Sequence, residues 1–152
     1  SDECPTSEYF KYMAEICDSE NIIYSPVTSP FIKHTDYDNI IDIYRSVDFN
    51  KRYDSITTCE YLHEFIYVDD KPLNFKSDNL PKSQDIAGIS KLTFGCSILP
   101  KTKIIQNKHI IGDKPYFYNL NDSIKNLDID TPSDFIICEL LYKNNITSES
   151  CT

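Results

Sequence analysis

Apolar residues recur along the chain at helical spacing in some segments and at extended spacing in others. Residues 6–18 predict a first helix capped by Thr6 or Ser7, with an apolar face at i, i+3, i+4 and i+7 formed by Phe10, Met13, Ala14 and Cys17. Residues 36–46 predict a second helix, whose apolar face contains Ile40, Ile41, Tyr44 and Val47. A short helix at 101–108 and a closing helix at 133–142 follow. The closing helix draws its apolar surface from Phe135, Ile136, Cys138, Leu140 and Leu141.

Short apolar or alternating runs predict strands between these helices. The four runs are residues 21–25, which we expect to be buried, and residues 55–61, 92–99 and 116–120. Residues 65–68 and 73–75 flank an Asp-Asp-Lys-Pro turn and predict a hairpin, and the polar stretch 74–90 predicts a long loop or arm.

Strands that alternate with helices predict a layered α/β fold with a largely parallel sheet. A chain of 152 residues has room for one domain, which we place at residues 1–143, with a flexible tail at 144–152. The hairpin and arm interrupt the alternation as an insertion.

Composition narrows the classes of partner. The formal net charge of −9, with no basic stripe, argues against binding to nucleic acid or to an anionic membrane. No apolar run approaches the ~20 residues of a membrane span, and no signal-peptide pattern opens the chain, so a cytoplasmic protein is expected. The six cysteines contain no C-x-x-C pair, and we expect those in apolar segments to be free thiols: Cys17, Cys59, Cys96 and Cys138.

Residues 126–135 carry the most informative motif. Asp128 and Asp130 stand two residues apart at the end of an apolar strand, so both carboxylates can face one hard cation. Thr131 can cap the following helix, Pro132 suits its first turn, and Asp134 favours its positive end. The alternative is a polar corner between strand and helix, whose aspartates serve turns and caps.

A second motif lies a hundred residues earlier, where the apolar run 22–24 leads into a Thr-Ser-Pro turn at 28–30. Together the two motifs resemble the acylneuraminate cytidylyltransferases, which carry a Pro-Thr-Ser-Pro-Leu loop and a later Asp-Ile-Asp-Thr-Pro-x-Asp-Phe signature. Weaker matches in the same order extend the resemblance from about residue 4 to residue 143, at residues 55–59, 81–85, 94–99, 111–112 and 116–118.

The resemblance implies a fold and a reaction. The fold is a Rossmann-like nucleotidyltransferase of three α/β/α layers, with the hairpin and arm inserted. The reaction transfers CMP from CTP to a nonulosonic, sialic-acid-like sugar acid and releases pyrophosphate. The resemblance also implies a homodimer formed through residues 63–90, for which a mobile surface hairpin is the alternative.

The resemblance assigns roles to residues of both motifs and of the arm. Asp128 and Asp130 would be catalytic through a bound Mg²⁺. Thr28 and Ser29 would offer hydroxyls to ribose or sugar. Lys82 and Gln84 would lie near the phosphates and the sugar, with Lys82 replacing an arginine fork by a point charge.

The sequence also departs from the family. Its three glycines, Gly88, Gly95 and Gly112, form no phosphate-binding cluster, and residues 2–8 resemble a stretch well inside the family's domain. We therefore expect an N-terminally truncated domain that binds CTP weakly or not at all on its own.

Three family positions with polar side chains hold Pro26, Leu92 and Phe94 here, which predicts a less polar sugar or no catalysis. Two other functions stay open. One is a silent homologue that acts as a binding or assembly module, and the other is an acidic interaction domain whose aspartates bind Ca²⁺ or nothing.

Overall fold

In the computed structural model, the structure describes residues 4–46, 48–144 and 146. Predictions made for Asp2, Glu3 and Val47, and for most of the tail at 144–152, concern residues outside these ranges. The elements of the described residues are, in order, α1 (Thr6–Ile16), β1 (Asn21–Tyr24), α2 (His34–Arg45), α3 (Phe49–Arg52), β2 (Ser55–Leu62), β3 (Tyr67–Val68), β4 (Lys71–Pro72), β5 (Ile89–Pro100), α4 (Lys101–Asn107), β6 (Pro115–Asn119) and α5 (Pro132–Lys143).

The central sheet has the strand order β1–β5–β2–β6. Strands β2 and β6 are parallel, whereas β5 is antiparallel to both of its neighbours. The sheet is therefore mixed, which corrects the expectation of a largely parallel sheet. The chain returns from β2 through the arm, and this return places β5 beside β2 in the opposite direction. Because β1, β2 and β6 run the same way, their carboxyl ends share one edge of the sheet.

Helices cover both faces of the sheet, which confirms the predicted three-layer arrangement. On one face, α2 and α3 pack over a core of Ile40, Phe49, Ile56, Cys96 and Ile98. On the other face, α1 and α4 pack over Ala14, Ile22, Leu99 and Ile104. Neighbouring residues of β5, such as Ile98 and Leu99, serve opposite cores because side chains alternate along a strand.

The N-cap predicted for α5 is confirmed, whereas the one predicted for α1 is not. Thr131 is the predicted N-cap of α5, and together with Asp134 it forms a capping box, with the Thr131 N–H 2.7 Å from Asp134 Oδ2. The cap predicted for α1 is wrong. Its N-cap is Pro5, which makes no side-chain hydrogen bond, and Thr6 is already helical.

Strand β1 and helix α5 are both more exposed than the sequence predicted. Strand β1 was expected to be buried, but it lies at the edge of the sheet and its Ile23 is 49% exposed. In α5 only Cys138 is buried, while Phe135, Ile136 and Leu140 face outward. The helix therefore contacts the rest of the described structure through a narrow stripe.

The arm begins with a tight hairpin of β3 and β4. Asp69 and Asp70 form its turn with φ of 48° and 60°, values that aspartate tolerates better than most residues. The side-chain amide of Asn74 then donates to the carbonyl oxygens of Glu64 and Ala87, at 2.8 and 3.0 Å. These bonds tie the two ends of the arm together.

The cysteines predicted to be free thiols are confirmed as such. Cys59, Cys96 and Cys138 are buried and Cys17 is half-buried, with no disulfide among them. Burial raises the pKa of the Cys96 thiol to about 12, which keeps it protonated and unreactive. Among the described residues, no helix has the length and apolar character needed to cross a membrane.

Candidate active site

The two sequence motifs meet in space. The backbone N–H of Ile129 donates to the carbonyl oxygen of Thr28 at 2.9 Å, which joins the acidic segment to the bend that follows β1. This junction lies at the edge of the sheet that holds the carboxyl ends of β1, β2 and β6. Ligands of open α/β sheets usually bind at that edge.

The three acidic residues of the motif, Asp128, Asp130 and Asp134, open onto one groove. We call it the acidic groove; its volume is about 390 Å³, and it is lined by Lys91, Leu92, Thr93, Phe94, Asn126, Leu127, Asp128, Asp130 and Asp134. Residues 127–130 are not part of a strand, because β6 ends at Asn119 and a turn at 123–126 follows, so the prediction that Asp128 and Asp130 end a strand is wrong. Both side chains nevertheless line the same groove. The two carboxylates are therefore placed so that they could face one ligand.

Two oxygens in this groove are buried without a hydrogen-bond partner among the described residues. They are Asn126 Oδ1 and Asp128 Oδ1. The orientation of the Asn126 amide is fixed, because its Nδ2 donates to the carbonyl oxygen of Asp122 at 2.9 Å and a flipped amide would bring two oxygens together. Buried acceptors are normally paired, so a missing donor or cation is the physical expectation at this point.

Asp134 lines the same groove but is already engaged. Its Oδ2 accepts hydrogen bonds from the Thr131 hydroxyl and from the backbone N–H groups of Thr131 and Asp130. The Thr131 hydroxyl first, and then the backbone N–H donors, hold the pKa of Asp134 below its ordinary value. Asp134 therefore positions the loop, and Asp128 and Asp130 are the carboxylates left for a ligand.

The oxygen atoms in this groove suit a hard cation that takes only a few of its ligands from the protein. Among residues that the structure describes, no group of three or more His, Cys, Asp or Glu side chains is arranged around a metal position. Mg²⁺ commonly uses only one or two protein carboxylates and completes its shell with water and phosphate oxygens. The oxygens of Asn126, Asp128 and Asp130 fit such a site.

A wide bulge in β5 forms the floor of the groove. The β2–β5 pairing passes from Thr57–Ser97 directly to Cys59–Leu92, so Thr58 faces the four residues 93–96. The buried Thr58 hydroxyl oxygen accepts from the backbone N–H of Cys96 at 3.1 Å and from the Thr93 hydroxyl at 3.0 Å. These bonds replace the ladder contacts that the bulge removes.

The bulge forces Phe94 into the left-handed region, with a φ of 53°. This backbone conformation is costly for an aromatic residue, on the order of 1 kcal/mol or more. The ring is 41% exposed, so burial of the side chain does not repay that cost in full. Strain of this kind concentrates at functional positions.

The Thr-Ser bend rests on this bulge. Gly95 has no room for a side chain, because a Cβ there would overlap the Ile32 side chain and stand 3.4 Å from Ser29 Oγ. Ser29 is only 8% exposed, whereas Thr28 is half-buried. Of the two hydroxyls predicted to reach substrate, Thr28 is thus the more accessible, and Ser29 packs against the floor.

Lys82 and Gln84 lie elsewhere. Both are exposed on the arm, Lys82 directly before and Gln84 within the 3₁₀ turn Ser83–Asp85. Neither contributes to the lining of the acidic groove.

Sequence reasoning gave no role to Asn126, Lys91 or Thr93. Asn126 is brought to the groove by the turn at 123–126, which the sequence pattern did not specify. For Lys91 and Thr93 no local signal existed, because their place depends on the pairing of β5 with β2 and on the bulge beside it.

Comparison with solved structures identifies the fold. The bifunctional IspDF from Campylobacter jejuni superposes with a TM-score of 0.60 at 14% identity, over 86% of this chain and 33% of that chain. The 4-diphosphocytidyl-2C-methyl-D-erythritol synthase from Anaerococcus prevotii superposes with a TM-score of 0.62 at 11% identity, over 93% of this chain and 68% of that chain. No family model matches the sequence, and no curated protein matches it.

These superpositions show that the chain shares the fold of the two proteins, and they confirm the predicted Rossmann-like fold of three α/β/α layers. They do not extend to the acylneuraminate family in particular. The chain spans only 33% of the length of the IspDF chain, so the activities of the whole neighbour are not carried over.

Proposed function

We propose that the chain is part of a CTP-dependent cytidylyltransferase and that the acidic groove holds its acceptor and its cation. The observation that carries the proposal is the joining of the two motifs. Asp128 and Asp130 open onto one groove at the carboxyl edge of the sheet, and the same segment is hydrogen-bonded to the Thr28 bend. The named product of one structural neighbour, a diphosphocytidyl polyol, supports cytidylyl transfer as the type of reaction.

The proposed reaction needs charge neutralisation and alignment more than covalent catalysis. An acceptor hydroxyl oxygen bonds to the α-phosphorus of CTP while its proton passes to solvent water. The bond from that phosphorus to the bridging oxygen breaks, and pyrophosphate leaves with that oxygen. Asp128 and Asp130, with Asn126 beside them, would hold Mg²⁺, which when bound offsets the phosphate charge. Thr28 would position the ribose or acceptor, and Lys91 would attract an anion to the rim.

The acceptor expected from the sequence, a nonulosonic sugar acid, is the narrower form of this proposal. Lys91 is the one cation among the residues that line the acidic groove, and its Nζ lies 3.4 Å from Glu60 Oε2. A sugar carboxylate favours a guanidinium fork or several amide donors, and Leu92 and Phe94 provide neither. These contacts favour an acceptor with fewer charges than a sialic acid.

The nucleotide part of the proposal requires residues beyond the acidic groove. The three glycines of the chain are dispersed, and none builds a cradle of backbone N–H groups for a triphosphate. Weak CTP binding by this chain alone remains our prediction. If this chain alone bound CTP tightly, the proposal that nucleotide binding requires residues beyond the acidic groove would be wrong.

We also propose that residues 63–90 contact a second copy of the chain, in the cytoplasm. Support comes from the apolar side chains that the arm exposes, namely Phe65, Tyr67, Val68, Leu73 and Leu80. Exposed apolar side chains are common where a protein contacts a partner. Concentration-dependent sedimentation would test it, with Leu73→Ser and Leu80→Ser as variants expected to favour the monomer.

The alternative of a silent homologue used as a binding module has one specific support. Lys82 and Gln84, the side chains expected beside the phosphates, are exposed on the arm and absent from the groove lining. Such a protein would keep the cation site without turnover. The metal experiment below therefore tests the site, and pyrophosphate release from CTP tests the catalysis.

Paramagnetic Mn²⁺, used in place of Mg²⁺, tests the cation site directly. In a ¹⁵N-labelled sample, substoichiometric Mn²⁺ should broaden the amide signals of residues 126–130 and of Thr28 before others. Asp128→Asn and Asp130→Asn should each raise the Mn²⁺ concentration needed for this broadening about tenfold or more, because one charged ligand is lost. Asp54→Asn, an equal charge change at the opposite end of the sheet, is the matched control and should leave the broadening in place.

Two results would overturn the proposal. One is broadening centred on Asp54 and Asp113, and the other is unchanged broadening in the Asp128→Asn variant. Either would place the cation outside the acidic groove.

A further inference from the structure

A second groove adjoins the acidic groove. We call it the apolar groove; its volume is about 490 Å³, and it is lined by Thr6, Phe10, Tyr24, Phe94, His109, Ile110 and Ile111. The volume falls within the range of small-molecule sites. Its lining is mainly aromatic and aliphatic, so it would favour an uncharged ligand.

Aromatic rings form the walls of the apolar groove. Phe10 of α1 and Tyr24 of β1 make an edge-to-face pair with ring centroids 5.5 Å apart and an interplanar angle of 84°. Phe94 of the β5 bulge supplies a third ring. Because these rings come from three different elements, the shape of the groove is set by the packing of the domain.

Phe94 connects the two grooves, since it lines both. Its left-handed backbone is held by the hydrogen bonds of Thr58 within the bulge. Tyr24 provides an independent link. The pKa of its phenol is raised by burial first, then by Tyr9 and by the charge of Asp128. The two grooves are therefore neighbours that meet at Phe94.

The rim of the apolar groove offers few polar groups. The backbone N–H of Ile111 donates to His109 Nδ1 at 3.1 Å, so the neutral imidazole carries its hydrogen on Nε2. This nitrogen can donate one hydrogen bond, and the hydroxyls of Tyr24 and Thr6 can each donate one and accept another. The chemistry fits a ring-sized apolar group with one or two polar substituents.

We propose that the apolar groove binds the apolar portion of the acceptor alcohol, while its hydroxyl faces the acidic groove beyond Phe94. This proposal rests on the proposed cytidylyl transfer for the identity of the ligand as an acceptor. The binding itself does not depend on that transfer. Burial of this apolar portion would supply the affinity, at about 25 cal/mol for each Å² removed from water.

Three probes added to the ¹⁵N-labelled chain, without metal or CTP, test the proposal. Cyclohexylmethanol carries an apolar ring and a hydroxyl, glycerol carries hydroxyls alone, and cytidine carries a nucleobase. We expect cyclohexylmethanol to shift the amide signals of Phe10, Tyr24, Phe94 and Ile111, and glycerol to shift none of them at equal concentration. Cytidine should bind these residues more weakly than cyclohexylmethanol.

Phe94→Asn is the informative variant, because asparagine tolerates the left-handed backbone while the ring is removed. It should weaken cyclohexylmethanol binding about fivefold, the effect of losing one aromatic contact. Phe94→Gly should do the same and serves as a second variant if the first melts early. The matched control is Phe65→Asn, since Phe65 is 42% exposed on the arm and Phe94 is 41% exposed.

The outcomes are distinguishable. Equal shifts from glycerol, tighter binding of cytidine in the groove, or unchanged affinity in both Phe94 variants would overturn the proposal. If Mn²⁺ fails to find Asp128 but cyclohexylmethanol binds as expected, the cytidylyltransferase proposal fails and the apolar site stands. If Mn²⁺ binds as expected and cyclohexylmethanol does not, only the apolar site fails.

Discussion

Two aspartates at opposite ends of the sheet have contrasting surroundings. At the amino ends of β2 and β6, Asp54 accepts backbone N–H groups from Asp113 and Lys114 at 3.0 and 2.8 Å, and its Oδ2 lies 3.6 Å from Lys103 Nζ. At the carboxyl edge, Asp128 has one buried oxygen with no partner among the described residues. One carboxylate is used by the fold, and the other is left available to a ligand.

The packing around the two aspartates differs in the same way, tight at Asp54 and open at Asp128. Next to Asp54, a Cβ on Gly112 would overlap the carboxylate, so the chain closes tightly around that end. Next to Asp128, the β5 bulge opens a groove and holds Phe94 in a strained conformation. A carboxylate whose oxygens are hydrogen-bonded in a tightly packed region indicates a structural role. A buried carboxylate oxygen without a partner, beside a strained bulge, indicates a functional role.

The largest effect expected from this contrast is on stability. Asp54→Ala leaves two backbone N–H donors unpaired and should lower the free energy of unfolding by about 2 kcal/mol, a value moderated by the solvent that still reaches the side chain. Asp128→Ala breaks no hydrogen bond of the described structure and should change it by less than about 0.5 kcal/mol in metal-free buffer. Urea denaturation of both variants measures the difference. Equal losses would mean that Asp128 is also structural.

A smaller effect should appear in the pH dependence. Burial raises the pKa of Asp54, but the N–H groups of Lys114 and Asp113 and the charge of Lys103 outweigh burial and set it below its ordinary value. Ionised Asp54 therefore contributes stability that is present above the unfolded pKa, near 3.8, and is lost as the pH falls through the lower folded pKa. The stability gap between the wild-type chain and Asp54→Asn should close over that window. A gap that stays constant down to the acid limit would remove Asp54 from this role.

Local features of this molecule could be read from the sequence. The capping box of α5 is specified by Thr131 and Asp134 three residues apart, and the face of α2 by apolar residues at helical spacing. The layering of the fold follows from the order of such elements. Even the pairing of the two motifs could be expected, because both follow strands that end at the same edge.

Features that depend on distant contacts could not be read this way. The antiparallel direction of β5 depends on how the arm returns, and a strand buried on both faces has the same apolar pattern in either direction. The bulge opposite Thr58 and the left-handed Phe94 result from pairing with β2. The unpaired oxygen of Asn126 follows from burial at a turn, which the sequence pattern does not specify. Site geometry was therefore less predictable than the fold.

The finest test uses two tyrosines as reporters, one at each end of the sheet. The pKa of Tyr44 is raised by burial and then by the charge of Asp54. The pKa of Tyr24 is raised by burial, then by Tyr9 and Asp128. Asp54→Asn should thus lower the pKa of Tyr44 alone, and Asp128→Asn that of Tyr24 alone. Titration of ¹³C-labelled tyrosine rings, assigned through Tyr24→Phe and Tyr44→Phe, measures both.

Mg²⁺ turns the same reporters into a test of which end binds the cation. A cation at Asp128 offsets the charge that destabilises the Tyr24 phenolate, so saturating Mg²⁺ should lower the pKa of Tyr24 in the same direction as Asp128→Asn does. Tyr44 should not respond, because Lys103 and two backbone donors already compensate Asp54. Two results would contradict a cation site at Asp128. One is a Mg²⁺-dependent change in the pKa of Tyr44, and the other is a Mg²⁺-dependent change in the pKa of Tyr24 that persists in the Asp128→Asn variant. In either case the cation would act from somewhere other than the Asp128 carboxylate.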